Sequence, residues 1–375
     1  MKSFIESNKE QLYTLIKELC AIPAPSHFEN ERAAYCKNWL EDNGAKGVYI
    51  DDALNVILPI HCDGSDKITV FAAHTDTVFP DKEPLPYLDD GVTIRSPGVG
   101  DNTASLAVLL LSAKYFIENN LFAQHGIMFV CNSCEEGLGN LKGTKQLFEN
   151  YAGRIAQFIT FDANLANVDD RCVGSHRYEV EVFTKGGHSY GDFGNKNAIA
   201  ELAKIINEIY SIQAPKIGNS KTTYNVGNIS GGTSINTIAQ SAKMLCEYRS
   251  DNEECLLIMK KKFEKIFTDA ATGGLDIKVS LIGDRPCMGK VDLSKIAHLT
   301  EIYRKIIKET TQKEISCHSG STDCNIPLSL GIPALCVGVY RGGGMHTRQE
   351  WIDKTSLPTG LEVGIKMILG VIKNI

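Results

Sequence analysis

The sequence predicts an α/β protein, with a mostly parallel sheet sandwiched by helices and an inserted α+β ferredoxin-like domain. Short apolar runs alternate with helical patterns in the first and last parts of the chain, which is typical of a parallel sheet. Between about Gly174 and Arg285 the pattern changes to strands of alternating polarity. At 375 residues the chain also exceeds the size at which one core keeps growing. We therefore predict a first domain from residues 1–173 and 286–375 and a second domain from residues 174–285.

The first domain is predicted to begin with two helices. Apolar residues recur at helical spacing until Pro23 interrupts them, and a second amphipathic segment runs from about Asn30 to Asn43, before Gly44. A later apolar stretch over residues 104–117 is long enough for a buried helix. Short apolar runs predict strands at Val56–Ile60, Ile68–Ala73, Ile127–Val130 and Phe158–Phe161.

The inserted domain is predicted from strands of alternating polarity and two helices. The segment RYEVEVF alternates apolar and polar residues with period two, as a half-exposed strand does. Helices are expected at Ala198–Tyr210 and about Glu254–Ala270, and strands at TTYNVGNIS, AKMLCEYRS and LDIKVSLIG. The resulting order, β-α-β-β-α-β, is that of a ferredoxin-like unit. The first domain then resumes with a helix at Leu293–Thr310, apolar runs near Leu328 and at Ala334–Val339, and a helix after Trp351.

The composition is that of a globular protein without a nucleic-acid or membrane partner. The net charge of −6 gives no electrostatic attraction to nucleic acid or to an anionic membrane. The first residues, MKSFIESNKE, lack an apolar signal core, and we find no apolar stretch long enough to cross a bilayer, so we expect a cytoplasmic protein. The cysteines are then expected to be reduced and buried, and the CxxC of Cys131 and Cys134 to be a coincidence.

Several metal-capable side chains lie just past predicted strands. His74 follows ITVFAA, Glu135 and Glu136 follow GIMFVCNS, and Asp162 follows FITF. Ligands of open α/β sheets bind beyond the carboxyl ends of the strands, so we expect these side chains to converge at one edge of the sheet. Polar residues also simply mark strand ends, but that explains one or two coincidences better than a full set of ligand types.

Two further candidates stand in glycine-containing turns. Asp101 follows Gly98 and Gly100, where its carboxylate could bridge two cations or cap the helix that follows. His346 follows three consecutive glycines. A lone histidine in a loop is usually an ordinary surface residue, so the interest of His346 depends on the other candidates.

Asp76 and the adjacent glutamates indicate how such a site would work. Asp76 stands two residues after His74, on the same side of an extended backbone, where it could orient a metal-bound imidazole. Adjacent carboxylates repel one another without a cation, so we predict that Glu136 binds metal and that Glu135 acts on water. Histidine and carboxylate ligands without cysteine favour Zn²⁺, Mn²⁺ or Co²⁺, and two such ions favour hydrolysis.

With these residues in this order, the chain resembles the M20 metallopeptidases, which include peptidase T, glutamate carboxypeptidase, acetylornithine deacetylase and succinyl-diaminopimelate desuccinylase. It carries HTD at 74–76, GVGD ending at 101 and EE at 135–136, in the order of the family. The matching segments farther along are KGGHS at 185–189, GGTSINTIA at 231–239, EYRSD at 247–251 and GSTDCNIPLSLGIP at 320–333. The resemblance covers essentially the whole chain and implies that the inserted domain is a lid that forms a homodimer.

The resemblance also implies roles for the candidate residues. Zinc is the first expectation for the two ions, with manganese and cobalt as alternatives. The resemblance implies that Asp101 bridges both ions. His74 and Asp162 would complete one site, and Glu136 and His346 would complete the other. Glu135 would be general base and then general acid, and Asp76 would orient His74.

The implied substrate contacts come from the inserted domain. His188 would stabilise the substrate carbonyl, often from the partner subunit, and Asn236 and Arg249 would contact the substrate, commonly its carboxylate. The chain departs from the family after Asp101 and after Asn236, where Lys-Gly and Ile-Pro are usual, so the resemblance leaves the substrate open.

We predict hydrolysis of an amide bond in small substrates, first of all by an exopeptidase acting on short peptides as a di- or tripeptidase, aminopeptidase or carboxypeptidase. A deacylase of N-acyl amino acids, of the acetylornithine deacetylase or succinyl-diaminopimelate desuccinylase type, is the alternative. A catalytically inactive binding protein is more remote, because the ligands and Glu135 are intact. A nucleotide-binding protein is remote as well, because no P-loop or GxGxxG stands between a predicted strand and helix.

Overall fold

The computed structural model describes residues 1–121 and 123–373, which divide into two compact units. The first unit comprises Met1–Cys172 with Gly289–Ile375, and the second comprises Val173–Met288. The predicted domain boundaries lie within a few residues of these limits. The functions predicted for the second unit, as a lid and as a dimer interface, remain predictions.

The helices and strands are numbered here in chain order. The helices are α1 (Lys2–Cys20), α2 (Asn30–Asp42), α3 (Ser105–Glu118), α4 (Lys142–Asn150), α5 (Ala198–Tyr210), α6 (Glu253–Thr272), α7 (Leu293–Thr311), α8 (Asn325–Ser329) and α9 (Leu357–Lys373). The strands are β1 (Tyr49–Ile50), β2 (Val56–Ile60), β3 (Ile68–His74), β4 (Leu88–Asp89), β5 (Thr93–Arg95), β6 (Gly126–Asn132), β7 (Ile155–Asn164), β8 (Asn167–Cys172), β9 (Gly174–Phe183), β10 (Gly187–His188), β11 (Thr222–Gly231), β12 (Thr237–Ile238), β13 (Ser241–Ser250), β14 (Asp276–Arg285), β15 (Ser316–Gly320), β16 (Ala334–Tyr340), β17 (Gly342–Gly343) and β18 (Trp351–Asp353).

The first unit is built on a mixed, mostly parallel sheet in the order β1-β2-β6-β3-β7-β16-β8-β15. Its inner strands β6, β3, β7 and β16 run parallel to one another. The flanking strands β2 and β8 pair with β6 and β16 in the antiparallel direction. Strands β3, β6 and β16 are buried at every position, as strands covered on both faces are. The predicted α/β class with a mostly parallel sheet is confirmed.

Helices α3 and α9 are the most apolar helices packed in the first unit. Helix α3 buries its residues from Ser105 to Ala113 almost without interruption, which explains why its sequence shows little amphipathic alternation. Gly364 of α9 lies so close to Val108 of α3 that an added Cβ would stand 2.7 Å from a Val108 methyl carbon. The small residue therefore permits the close approach of the two helices.

We expected no segment long and apolar enough to cross a membrane, and this expectation is wrong by the criteria of length and hydropathy. Within the described residues, Lys354–Lys373 meets that test of length and hydropathy. The segment is 56% buried inside the protein, because α9 packs against α1, α3, α7 and β16. It is therefore a core helix, and its apolar character reflects contact with other helices.

The second unit has strands and helices in the order β9, α5, β11, β13, α6, β14, with the short pair β10 and β12 between them. Its sheet has the order β11-β13-β9-β14, and all of these pairs are antiparallel. Alternate residues of β9 and β13 are buried, including Val180 and Met244, and they pack with Leu202 of α5 and Phe263 of α6. The period of two in the sequence thus corresponds to one face covered by helices.

Other parts of the fold were not predicted from the sequence. The polar strands β8 and β15 pair in parallel at the edge of the first sheet, and β4, β5, β17 and β18 form a small separate sheet. The cysteines are free thiols, and all except Cys317 are buried. Cys131 and Cys134 lie in β6 and just beyond it, and neither belongs to a candidate metal group of the described residues.

A buried tyrosine hydroxyl provides a test of packing in the first unit. Tyr303 Oη donates to Gly338 O at 2.7 Å and accepts from the amides of Gly338 and Ala166 at 3.2 Å. Tyr303→Phe leaves these buried backbone groups without that partner, so we expect the free energy of unfolding to fall by about 1–3 kcal/mol. Urea denaturation measures the change. Tyr190→Phe, at a residue that is 89% exposed, is the control, and equal midpoints for both variants would contradict the prediction.

Candidate metal centre

A group of carboxylates and histidines lies together in the first unit, and we call it the acidic–histidine cluster. Its ligand-capable atoms fall into groups of three, and in each group they lie within 4.8 Å of one another. The groups are His74–Glu135–Glu136, His74–Asp101–Asp162 and Asp101–Glu136–His346. Residues predicted from widely separated segments thus meet at one place. The roles assigned to them remain predictions.

The parallel sheet explains how three of these segments converge. His74 is the last residue of β3 and pairs with Asn132, the last residue of β6. Glu135 and Glu136 lie three and four residues beyond the end of β6, and Asp162 lies in the carboxyl-terminal part of β7, which is the other neighbour of β3. Adjacent parallel strands bring the residues beyond their carboxyl ends to the same edge.

Asp101 reaches this edge from an irregular turn between β5 and α3. Gly98 has φ +75°, and an added Cβ on Gly100 would lie 2.8 Å from the ring of Tyr340. The peptide bond between Asp101 and Asn102 is cis. The side-chain Nδ2 of Asn102 donates to Phe161 O at 2.8 Å, next to Asp162. The turn is thereby tied to the strand that carries another member of the cluster.

The Asp101 carboxylate lies between the two histidines. His74 Nε2 is 3.1 Å from Asp101 Oδ1, and His346 Nε2 is 2.9 Å from Asp101 Oδ2. His74 Nε2 also lies 3.7 Å from Asp162 Oδ1. Asp101 is thus shared by two of the ligand groups, as a bridging carboxylate must be.

Asp76 fixes both His74 and the glutamate pair. His74 Nδ1 lies 3.0 Å from Asp76 O and 3.3 Å from Asp76 Oδ1, so its proton can be donated there. The same carboxylate accepts the amides of Glu135 and Glu136 at 3.0 Å and the Ser26 hydroxyl at 2.6 Å. With Nδ1 protonated, the lone pair of His74 Nε2 faces Asp101 and Asp162.

This arrangement fits a bound cation. A neutral His74 would direct a lone pair at carboxylate oxygens, which repel it unless a cation or proton stands between them. The single N–H of His346 Nε2 is directed to Asp101, although Glu136 Oε1 lies only 3.2 Å away. Glu136 Oε1 is therefore buried without a hydrogen bond from the described residues. Divalent ions would satisfy both conditions.

The pKa values of the cluster show the same shortage of positive charge. Burial, then the charge of Asp101, raises the pKa of Glu136 to about 8, and the same two causes raise that of Asp162 well above its usual value. The neighbouring carboxylates of Asp101 and Glu136 raise the pKa of His346 to about 11. Burial opposes ionisation of Asp101, but its bonds to His346 and His74 outweigh burial and hold its pKa well below its usual range.

Three buried carboxylates around the cluster were not predicted from the sequence. Glu350 accepts backbone amides of the turn that carries Asp101, and Glu29 Oε1 accepts the amide of Cys134 at 2.9 Å. Asp323 accepts from Asn132 Nδ2 at 2.5 Å and from the Thr144 hydroxyl. Burial and the charge of Glu135 raise the pKa of Asp323 to about 7. Asp323 stands in the motif GSTDCNIP, which could have indicated it, whereas Glu350 and Glu29 had no such signal.

The predicted substrate-binding residues lie in the second unit. His188 of β10 pairs with Thr237 of β12, and Ser189 N donates to Asn236 O at 2.9 Å, so His188 and Asn236 are neighbours. Arg249 lies near the far end of β13, where it forms two hydrogen bonds to Glu247, at 2.8 and 3.0 Å. Arg249 is therefore paired with a carboxylate of its own strand.

The profile of peptidase family M20/M25/M40 matches residues 70–370 of this chain. The chain belongs to this family. It is an M20-family hydrolase of the metallopeptidase type, and the resemblance noted in the sequence is confirmed. The match includes every residue of the acidic–histidine cluster.

Individual relatives cover nearly all of the chain at low identity. It is 23% identical to the uncharacterised protein YqjE of Bacillus subtilis, over 96% of this chain and 98% of the relative. It is 22% identical to a putative succinyl-diaminopimelate desuccinylase of Mycobacterium tuberculosis, over 78% and 80% of the two chains. The structure of aminopeptidase PepT from Bacillus cereus aligns with a TM-score of 0.73 and 23% identity, over 97% of this chain and 99% of PepT. At such identity the structural likeness shows the shared fold.

Binding of divalent ions is expected to stabilise this M20-family protein. Zn²⁺, Mn²⁺ or Co²⁺ added to chelator-treated protein should raise the melting temperature, because ions at 100 times their dissociation constant add about 2.7 kcal/mol to the free energy of unfolding. Differential scanning fluorimetry measures the shift. In Asp101→Asn, which removes the shared charge, the shift should be largely lost. An unchanged shift in that variant would show that the ions bind elsewhere.

The raised pKa values predict how pH affects the metal-free protein. Glu136 and Asp323 keep protons in the folded state up to about pH 8 and about pH 7, whereas the unfolded chain loses them near pH 4 to 5. The folded state therefore binds more protons between these values. The free energy of unfolding should fall with rising pH, by up to about 1.4 kcal/mol per pH unit for each such group. Melting temperatures of the chelator-treated protein from pH 5.5 to 8 test this expected decrease. A stability that rises over that range would contradict it.

Proposed function

We propose that this M20-family protein is a metal-dependent exopeptidase that hydrolyses the amide bond of short peptides with two divalent ions. The sharing of Asp101 between two ligand groups, with Glu135 in a third, carries the proposal. Two ions bridged by one carboxylate are the typical arrangement for such hydrolysis. We propose zinc for both positions, with manganese and cobalt as alternatives. A cytoplasmic location remains a prediction from the sequence.

The three ligand groups support a division of the residues between two metal positions. We assign the position with the buried histidine to Asp101, His74 and Asp162, and the other to Asp101, Glu136 and His346. The assigned atoms lie within 4.8 Å of one another in each set. Asp76 would then orient His74 by accepting its Nδ1 proton, which keeps Nε2 available as a ligand.

Glu135 is the proposed acid and base of the reaction. When bound, the ions would polarise the scissile carbonyl and make a water molecule more acidic. Glu135 accepts the proton of that water as the water oxygen attacks the carbonyl carbon, and it later donates the proton to the amine nitrogen as the C–N bond breaks. Its backbone amide is held by Asp76 at 3.0 Å, so the side chain starts from a fixed position beside His74 and Glu136.

His188 is proposed to stabilise the oxyanion that forms from the substrate carbonyl. Its Nδ1 lies 3.3 Å from Tyr190 N and 3.2 Å from Gly191 N, and both amides donate to it. A neutral imidazole that accepts at Nδ1 carries its proton on Nε2. The Nε2–H of the exposed His188 is therefore available as a hydrogen-bond donor to a developing negative charge.

A homodimer is proposed because the residues that would contact the substrate lie far apart within a single copy of the second unit. Arg249 pairs with Ser175 at one end of β9, whereas His188 and Asn236 lie beyond Phe183 at its other end. Eight residues at about 3.4 Å each place these ends roughly 27 Å apart, which exceeds the length of a dipeptide. We therefore propose that His188 and Asn236 reach the substrate of the partner subunit and that Arg249 serves its own.

A deacylase of N-acyl amino acids is the second candidate function. The likeness to a putative succinyl-diaminopimelate desuccinylase favours it, and both reactions break an amide bond near a carboxylate. Arg249 is proposed to bind that carboxylate in either case. Kinetics with di- and tripeptides, compared with N-acetyl and N-succinyl amino acids, each with Zn²⁺, Mn²⁺ or Co²⁺ supplied separately, distinguish the two functions.

Replacement of the general base tests the proposed chemistry. Glu135→Gln should reduce kcat by at least about 10²-fold, because proton transfer to a positioned side chain contributes about 10²–10⁴-fold. Metal content should remain that of the wild type, since Glu135 is not an assigned ligand. Glu149→Gln makes the same change at an exposed residue of α4 and should leave kcat unchanged. Full activity of Glu135→Gln would refute the assigned role, and a wild type without hydrolysis would favour the binding-protein alternative.

Mixing two inactive variants tests whether His188 acts across a dimer. Glu135→Gln subunits keep His188, and His188→Ala subunits keep Glu135, so each mixed dimer contains one complete site. After exchange of subunits, about a quarter of the wild-type activity should return, because half of the dimers are mixed. The controls are the Glu135→Gln and His188→Ala proteins, each measured alone. Absence of recovery in a mixture that sedimentation shows to be dimeric would assign His188 to its own subunit.

A further inference from the structure

Glu350 is a buried carboxylate whose two oxygens are both used by backbone amides. Glu350 Oε2 accepts Gly98 N at 2.7 Å, and Oε1 accepts Gly100 N and Asp101 N at 2.8 Å. The residue is 1% exposed. Bonds from amides to a carboxylate are about twice as strong as those between neutral groups, so this contact holds the turn firmly.

The turn has a shape that serves this contact. Gly98 has φ +75°, and an added Cβ on Gly100 would lie 3.0 Å from Glu350 Oε1. Glycine at both positions lets successive amides point at the same carboxylate. The backbone of Glu350 is tied in as well, since Ser96 N donates to Glu350 O at 3.2 Å.

The same residue also belongs to the segment that carries His346. Glu350 N donates to Thr347 O at 3.2 Å, one residue beyond His346. Glu350 thus connects the backbone of the Asp101 turn with that of the His346 loop. The two side chains that these segments present, Asp101 and His346, lie 2.9 Å apart.

We propose that Glu350 is a positioning residue that sets the Asp101 carboxylate relative to His346 and thereby determines metal affinity. The proposal rests on the metal assignment made under the proposed function. Glu350 does not coordinate an ion in this scheme, because its oxygens already accept amides. It acts through the backbone of Asp101, whose displacement would disturb both metal positions at once.

The chemistry of the contact indicates what its loss would do. Glu350→Gln keeps the size of the side chain but replaces one acceptor oxygen by an NH₂ group, which would face a backbone N–H of the turn. The amide or amides that faced the replaced oxygen would then lose their acceptor, and the turn would relax to satisfy them. Loss of such an outer contact typically lowers metal affinity by about 10- to 100-fold.

The experiment is a titration of the chelator-treated protein with Co²⁺ alone. The visible absorption of the bound ion measures binding. We expect the Glu350→Gln variant to bind Co²⁺ about 10- to 100-fold more weakly than the wild type, with an altered absorption spectrum. The metal-free melting temperature monitors the fold separately. The control is Asp292→Asn, which removes a carboxylate that accepts the amide of Ser294 at the start of α7.

Wild-type Co²⁺ affinity and spectrum in a folded Glu350→Gln variant would overturn the proposal. If the variant does not fold, amide hydrogen exchange of the metal-free wild type decides instead. The amides of Gly98, Gly100 and Asp101 should then be strongly protected, and free exchange of these amides in the folded protein would also overturn it.

The titration separates this proposal from the proposed function because it requires no substrate. A wild type that binds Co²⁺ but hydrolyses no peptide or N-acyl amino acid would end the functional proposal, and a weakened Glu350→Gln would still support the role of Glu350. A wild type that binds no Co²⁺ would overturn both.

Discussion

The concentration of negative charge at one edge of the sheet is the constraint on which the rest of the first unit depends. Ligand-capable oxygens of Asp101 lie within 4.8 Å of those of both Asp162 and Glu136. The side chains of Asp101, Glu136 and Asp162 are largely hidden from water, with exposures of 11%, 6% and 13%. Repulsion between carboxylates is strong where water is excluded. Histidines supply part of the balancing charge, and the protein must hold the acidic groups together against their mutual repulsion.

The surrounding structure does this with a second set of carboxylates that bind N–H groups and side-chain donors. Asp76 holds the amides of Glu135 and Glu136, Glu350 holds the turn of Asp101, and Asp323 holds Asn132 at the end of β6. Each acidic group of this set stabilises backbone or amide groups that would otherwise lack a partner. The carboxylates of the acidic–histidine cluster are thus supported by other carboxylates whose oxygens accept N–H groups.

The elements that depend on neighbouring residues in the chain could be predicted from the sequence. Strand Val56–Ile60 and helix Ala198–Tyr210 have the bounds that their apolar patterns predict, because each is decided by neighbours in the chain. Strands β8 and β15 are polar, and the whole second unit lies between them in sequence, so no local pattern marks their pairing. The positions of the candidate ligands followed from strand ends and from the family order of the motifs.

The contacts that hold the ligands could not be predicted in the same way. Glu350 accepts from donors about 250 positions earlier in the chain, and only the folded backbone shows that these donors converge. The pairing of Arg249 with Glu247 is local, since the two residues lie on the same face of β13. It was nevertheless missed because a glutamate two residues away also fits an ordinary charged strand face.

The unequal exposure of the two histidines has a consequence for how the protein would exchange metal. The His74 side chain is fully covered, whereas that of His346 is 56% exposed and stands on a loop preceded by glycines. Under the proposed assignment, an ion held by His346 would lie closer to solvent than one held by His74 and would exchange first. Dialysis against a chelator would then pass through a half-loaded species.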